Sequence, residues 1–236
     1  MKPITIKVFA DGAVLEEMVA AYRSGVVKGF TTNPSLMKKA GVNDYEAFAK
    51  EALRQIPDLP ISFEVFADDF AVMEQEAKKI ASWGKNVYVK IPVMNAQGES
   101  SIPLIKKLSA EGVALNVTAI LTLEQVTETV DAFAPGTNNI VSVFAGRLAD
   151  SGVDPVPTMI RAAAICHSKP NTELLWASSR ELYNIFQAQE CGCDIITCTN
   201  DILKKLPNIG KDPWQISLET VQMFQRDVQS LGYSIL

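Results

Sequence analysis

A chain of 236 residues, 47% of them hydrophobic, is long enough for one sizeable core and has the composition of a soluble globular protein. Its formal net charge of -5 argues against a nucleic-acid or anionic-membrane surface, yet leaves room for an anionic metabolite held by a few local cations. The single histidine, His167, argues against Ser-His-Asp chemistry and cannot supply a multi-histidine zinc site; it reads as a surface residue near a helix C-terminus. Four cysteines, Cys166, Cys191, Cys193 and Cys198, lack two well-separated C-x-x-C pairs, so a zinc ribbon is not expected. Met1-Lys2-Pro3 runs straight into a strand, and no apolar run approaches membrane-spanning length. The expectation is a cytoplasmic protein with reduced thiols and no membrane or nucleic-acid partner.

In chain order, a short apolar strand ending in a polar residue alternates with helical stretches. Strand one is Ile4 to Ala10, ending at Asp11, and 12–25 carry apolar residues at helical spacing. Strand two, Gly29 to Thr32, runs into Asn33-Pro34-Ser35; Asp44 can serve as N-cap for a helix from Tyr45 to Gln55. Strand three, Ile61 to Phe66, carries Glu64, and a helix covers about Asp69 to Trp83. Strand four, Val87 to Val93, is apolar and β-branched with Lys90 in its middle. A glycine-containing loop leads to a helix from Ile102 to about Ala110. Strand five, Ala114 to Ile120, carries Asn116 and Thr118, and Thr122 can cap the next helix. Strand six, Asn139 to Phe144, precedes a turn with Gly146 and Arg147, then a helix around Val156 to Cys166. Strand seven, Thr172 to Ala177, precedes Ser178-Ser179-Arg180 and a helix ending near Glu190. Strand eight is Asp194 to Thr199, and an amphipathic helix covers about 213–231.

Eight such strands in one chain read as a single α/β domain over 1–236, a (β/α)8 TIM barrel with an extra C-terminal helix. A doubly wound sheet is the alternative, but no Gly-x-Gly-x-x-Gly turn follows strand one. In a barrel, side chains alternate between interior and helix layer, and active sites sit at the C-terminal strand ends. On that period Asp11, Asn33, Glu64, Lys90, Asn116, Thr118 and Ser142 can all point into one mouth, and Trp176 shares a face with Ser178. Burying so many polar groups without a function would cost stability. Lysine is almost never fully buried unless paired, and burial disfavours the ammonium. A neutral amine can attack a ketone and form a Schiff base, although a snorkelling lysine or a buried ion pair fits the strand alone equally well. Nearby carboxylates suit the proton transfers such chemistry needs. Arg147, Ser178 and Arg180, on neighbouring strand ends with the last two placed at the start of a helix, suit an anion such as a phosphate; paired surface arginines are the duller alternative.

These residues lie in motifs that resemble the transaldolase family from strand one to strand eight. The motifs are Thr31-Thr32-Asn33-Pro34-Ser35, Val89-Lys90-Ile91-Pro92, Asn116-Val117-Thr118, Ser142-x-Phe144-x-Gly146-Arg147 and Ala177-Ser178-x-Arg180. The resemblance implies transfer of a dihydroxyacetone unit from a ketose phosphate, fructose 6-phosphate or sedoheptulose 7-phosphate, to an aldose phosphate, with no metal or cofactor. It implies Lys90 as the Schiff-base lysine, Asp11 as acid/base for C–C cleavage, and Glu64 with Thr118 holding a catalytic water. Asn33, Asn116 and Ser142 would bind the dihydroxyacetone part, and Arg147, Ser178 and Arg180 the phosphate. The related fructose-6-phosphate aldolases carry glutamine and tyrosine where Glu64 and Phe144 stand. A phenol beside the intermediate could protonate the carbanion and release dihydroxyacetone, whereas a phenyl ring cannot.

Three positions depart from the family pattern: Val143, Ser179 and Trp176. Together they bear on the substrate tail, and a large indole on the Ser178 face would narrow the pocket near the anion. Some relatives resembling this family act on a sulfonated ketose, 6-deoxy-6-sulfofructose, which is the second substrate reading. An aldolase that releases free dihydroxyacetone and a non-catalytic sugar-phosphate binder complete the range of functions. The resemblance also implies a homo-oligomer, with the C-terminal helix packed on a neighbouring subunit; covering the chain's own barrel is the other use for its apolar stripe.

Overall fold

The computed structural model describes residues 3–233 and 235. Eight strands run parallel in chain order: β1 (Lys7–Asp11), β2 (Gly29–Thr31), β3 (Ile61–Glu64), β4 (Val87–Pro92), β5 (Leu115–Ile120), β6 (Asn139–Val143), β7 (Thr172–Trp176) and β8 (Ile195–Thr199). β8 pairs back onto β1 and closes the barrel. Between the strands lie α1 (Leu15–Arg23), α2 (Pro34–Lys39), α3 (Tyr45–Gln55), α4 (Phe70–Ala81), α5 (Ile102–Ala110), α6 (Leu123–Ala132), α7 (Ala145–Asp150), α8 (Val156–His167) and α9 (Asn184–Glu190). After β8 come α10 (Asn200–Leu203), a 3₁₀ turn (Leu206–Asn208) and α11 (Pro213–Leu231). The chain is therefore a (β/α)8 TIM barrel with a C-terminal helix. Among the described residues no helix is long and apolar enough to cross a membrane.

Local signals explain several boundaries. Asp44 accepts from the Ala47 amide at 2.9 Å and starts α3. Thr122 and Gln125 form a reciprocal capping box at the start of α6. His167 ends α8, with Nε2 2.9 Å from Asp194 Oδ2. All four cysteines are free and buried, and burial pushes the Cys198 thiol up to about 12.

Strand alternation divides the core in two. Residues such as Val8, Phe30, Phe63, Val89, Val117, Val141, Leu174 and Ile196 face the helices. Phe9, Ile140, Leu175, Ala177 and Ile195 fill the barrel, with Tyr88 and Phe144 packed against them. Gly29 leaves room for the Phe9 ring: a Cβ there would come within 2.4 Å of it. Apolar side chains therefore fill the lower barrel, and the polar inward positions gather at the C-terminal strand ends.

Two expectations on β7 fail. Trp176 does not face the barrel mouth. It is 1% exposed and packs with Leu174 in the helix-facing core, because the inward positions are Leu175 and Ala177. Ser178 has φ 58°, which breaks the alternation that would pair it with Trp176. Ser178 and Arg180 also do not begin a helix. The Asn184 side chain accepts from the amides of Arg180 at 2.8 Å and Glu181 at 3.1 Å, and α9 starts only at Asn184. Arg147, expected in a turn, lies inside the short helix α7.

Candidate active site

A cavity of about 430 Å³ opens at the C-terminal strand ends. Asp11, Asn33, Glu64, Lys90, Thr118, Ser142, Phe144, Arg147, Ser178 and Arg180 all line it. Two expected residues do not. Trp176 faces the helices, as described. Asn116 is fully buried beneath the cavity, where its Nδ2 donates to Ser62 Oγ at 2.9 Å and its Oδ1 accepts from Ser142 Oγ at 2.6 Å. Asn116 orients Ser142 from below instead of lining the cavity.

Parallel register sets the centre of the site. Glu64 on β3 stands beside Lys90 on β4, both pointing inward. The Lys90 side chain is only 8% exposed, and its Nζ donates to the Thr32 carbonyl at 3.0 Å. The same nitrogen lies 3.1 Å from Glu64 Oε2, an ion-pair distance without hydrogen-bond alignment. The Thr32 carbonyl and the Glu64 carboxyl thus fix the nitrogen at the cavity wall.

Asp11 approaches from β1. Thr31 Oγ1 donates to its Oδ1 at 2.8 Å and lies 2.6 Å from Thr197 Oγ1. With the Thr31 proton committed to Asp11, Thr197 must donate to Thr31, giving a chain Thr197–Thr31–Asp11. Neither threonine is among the site residues expected from sequence: Thr31 lies in the Thr-Thr-Asn-Pro-Ser motif, while Thr197 has no local mark. Burial pushes the Asp11 carboxyl up, opposed by the Lys90 charge and the Thr31 hydrogen bond. Burial also raises Glu64; Lys90 pulls it down and the Asp11 charge adds to the rise. Two carboxyls displaced upward beside one amine are matched to proton transfer.

Thr118 Oγ1 and Glu64 Oε2 are both buried and have no hydrogen-bond partner among the described residues. Two such polar atoms at one cavity fit a water or a substrate hydroxyl. β5 is bulged between Val117 and Ile120, and Ala119, which also lines the cavity, has φ 61°. A non-glycine residue in the left-handed region costs about 1 kcal/mol or more, and this strain lies at the site. Among the described residues no tyrosine lines the cavity, and the aromatic ring there is Phe144.

At the other end, Gly146 brings α7 onto the end of β7. A Cβ at Gly146 would sit 1.6 Å from the Ser178 carbonyl oxygen, and the Gly146 amide bonds the Ala177 carbonyl at 3.3 Å. This contact brings Arg147 beside Ser178. Arg180 grips Asp150 with two hydrogen bonds, Nε to Oδ1 at 3.0 Å and Nη2 to Oδ2. The Arg180 bond and charge, with the Arg147 charge, hold the Asp150 carboxyl below its ordinary value. Sequence gives no sign of Asp150, because nothing in a single chain ties position 150 to position 180.

A family profile described as Transaldolase/Fructose-6-phosphate aldolase matches residues 8–235. A curated protein from Thermoanaerobacter sp., named "Probable transaldolase", is 35% identical over 231 residues, covering 98% of this chain and 100% of the relative. Proteins of the same name from Nitrosopumilus maritimus (34%; 95% of this chain, 100% of the relative) and Dehalococcoides mccartyi (34%; 85% and 90%) are similar. Among solved structures, a dihydrodipicolinate synthase family protein from Coccidioides immitis aligns with a TM-score of 0.58 at 17% identity, covering 84% of this chain and 68% of that one. That likeness concerns the fold alone.

Proposed function

Because the chain belongs to the transaldolase/fructose-6-phosphate aldolase family, we propose that it transfers a dihydroxyacetone unit from a ketose phosphate, fructose 6-phosphate or sedoheptulose 7-phosphate, to an aldose phosphate through a Lys90 Schiff base. The observation that carries this reading is the buried Lys90 nitrogen, 3.1 Å from Glu64 and facing Asp11 across one cavity.

In this reading Lys90 passes a proton to Glu64 and attacks the C2 ketone with its amine; the proton returns to the carbinolamine hydroxyl, and water leaves as the iminium forms. Asp11 takes the proton of the C4 hydroxyl as the C3–C4 bond breaks, and the aldose product departs. The electron pair of that bond remains on the iminium as an enamine. Glu64 and Thr118 hold the water that shuttles protons during addition and dehydration, a role that suits a Thr118 hydroxyl with no hydrogen-bond partner among the described residues and a Glu64 carboxyl lining the same cavity. Asn33 and Ser142 bind the dihydroxyacetone hydroxyls, with Asn116 steadying Ser142. Phe144 offers no proton to the enamine, so it persists until an acceptor aldehyde arrives; this favours transfer over release of dihydroxyacetone. Arg147, Ser178 and Arg180 receive the phosphate. With the Trp176 indole among the helices, that residue gives no ground for a sulfonated donor; Ser179, which lines the cavity, keeps 6-deoxy-6-sulfofructose as the second donor to assay.

The test is glyceraldehyde 3-phosphate release from fructose 6-phosphate with and without erythrose 4-phosphate, together with borohydride trapping of the substrate on Lys90. Acceptor-dependent release and a label on Lys90 are expected. Lys90→Ala should lower kcat on the order of 10⁴-fold or more, the scale of losing a covalent nucleophile. Release that ignores the acceptor would identify an aldolase, and full activity in Lys90→Ala would end the Schiff-base reading.

A further inference from the structure

We propose that Asp150 is a positioning residue for the anionic end of the substrate: its carboxylate holds the Arg180 guanidinium by one edge and turns the opposite edge toward the cavity. This rests on the reading that Arg147, Ser178 and Arg180 receive a phosphate.

A guanidinium has five N–H donors arranged around a plane. Asp150 takes the edge formed by Nε and Nη2. The two Nη1 hydrogens and the second Nη2 hydrogen remain for another acceptor. A planar arginine can thus bridge a carboxylate on one side and a phosphate on the other.

The free arginine would be poorly organised for that task. Its side chain is 48% exposed, and an unrestrained arginine carries about 2 kcal/mol of rotamer entropy. Here both ends are held. The Arg180 amide donates to Asn184 Oδ1 at 2.8 Å, and the guanidinium is forked on Asp150. Asp150 is itself well placed as an anchor. It ends α7, the helix that Gly146 presses against the Ser178 carbonyl, so Asp150 and Arg147 sit on one short helix held against Ser178. Asp150 also sets a negative charge beside Arg147 and Arg180, which offsets the repulsion of two guanidinium groups gathered for one ligand.

The test is steady-state kinetics of Asp150→Ala and Asp150→Glu, with fructose 6-phosphate or unphosphorylated fructose as donor and D-glyceraldehyde as acceptor. Asp150→Ala should raise KM for fructose 6-phosphate about tenfold, the scale of one charge-assisted hydrogen bond, with kcat held within about twofold. KM for fructose should not move, and Asp150→Glu should recover most of the loss. An unchanged or lower KM for fructose 6-phosphate in Asp150→Ala would overturn the proposal, a lower one marking Asp150 as a competitor of the anion. A parallel rise of KM for both donors would also overturn it, as general damage to the site. Arg180→Ala separates the role of Asp150 from the phosphate site itself. If Arg180→Ala raises KM for fructose 6-phosphate and Asp150→Ala does not, only the role of Asp150 fails. If neither variant changes it, the phosphate reading fails and the proposal with it.

Discussion

Asp11 shows most directly how the site trades stability for chemistry. Its carboxyl is raised because burial disfavours its charge more than Lys90 and Thr31 favour it. The sign of the stability effect follows from that direction. A carboxyl raised in the folded state contributes stability below its unfolded value, about 3.9, and that contribution is lost as pH rises through the folded value. Asp11→Asn cannot ionise and escapes the loss. Its Tm should exceed that of the parent at neutral pH, with the gap opening as pH climbs from about 4 and levelling off above the folded pKa. Turnover should be lost in the same variant. A Tm below the parent's, with a gap that ignores pH, would contradict the assigned cause. Trp176 makes the opposite case, a large residue near the site that does not belong to it. Its Nε1 is buried without a hydrogen-bond partner among the described residues, so Trp176→Phe removes an unpaired donor along with some packing. We expect a stability change of about 1.5 kcal/mol or less and KM for the phosphorylated donor within about twofold of the parent's. A large KM change in that variant would return the indole to the substrate pocket.

At the scale of elements, the junction between α7 and β7 governs the anion end. The left-handed Ser178 turns the chain away from β7, and Gly146 lets α7 rest on the Ser178 carbonyl. Gly146→Ala would set a methyl group 1.6 Å from a backbone oxygen that has no rotamer to escape through. The helix has to move, at a cost of about 1–3 kcal/mol. Arg147 then separates from Ser178, so KM for a phosphorylated donor should rise more than KM for an unphosphorylated one. Chemical denaturation and the two KM values check both halves; an unchanged midpoint would mean that α7 tolerates the shift.

For the whole molecule, α11 is the part that the barrel leaves unexplained. None of its residues is buried, Phe224 is 57% exposed and Trp214 68%. Leu218, Val221, Phe224, Val228 and Leu231 recur at helical spacing and form one apolar stripe. An exposed stripe of that length is the mark of an interaction surface. The expected occupant is another copy of the chain, as the family resemblance implies. Val221→Glu with Phe224→Glu should therefore lower the mass measured by light scattering while the circular dichroism stays the same, since neither residue packs inside the chain. A monomer mass both before and after the substitutions would rule the oligomer out.

The barrel and most of its mouth were legible in the chain alone. Apolar runs of strand length between amphipathic helices leave few other folds, and a period of two sends Lys90, Glu64, Thr118 and Ser142 inward wherever strands stay regular. The bounds of α3 and α11 follow from a cap and from periodicity, which are local properties of the chain. Other features needed contacts between distant segments, which local pattern cannot carry. The left-handed turn at Ser178 separated it from Trp176. The depth of each inward position put Asn116 beneath the cavity and Ser142 at its wall, because register between strands sets the layers of a barrel. The contacts Thr197–Thr31–Asp11 and Asp150–Arg180 join separate parts of the chain, the first because barrel closure brings β8 to β1, the second because β6 pairs with β7 and sets α7 at its end.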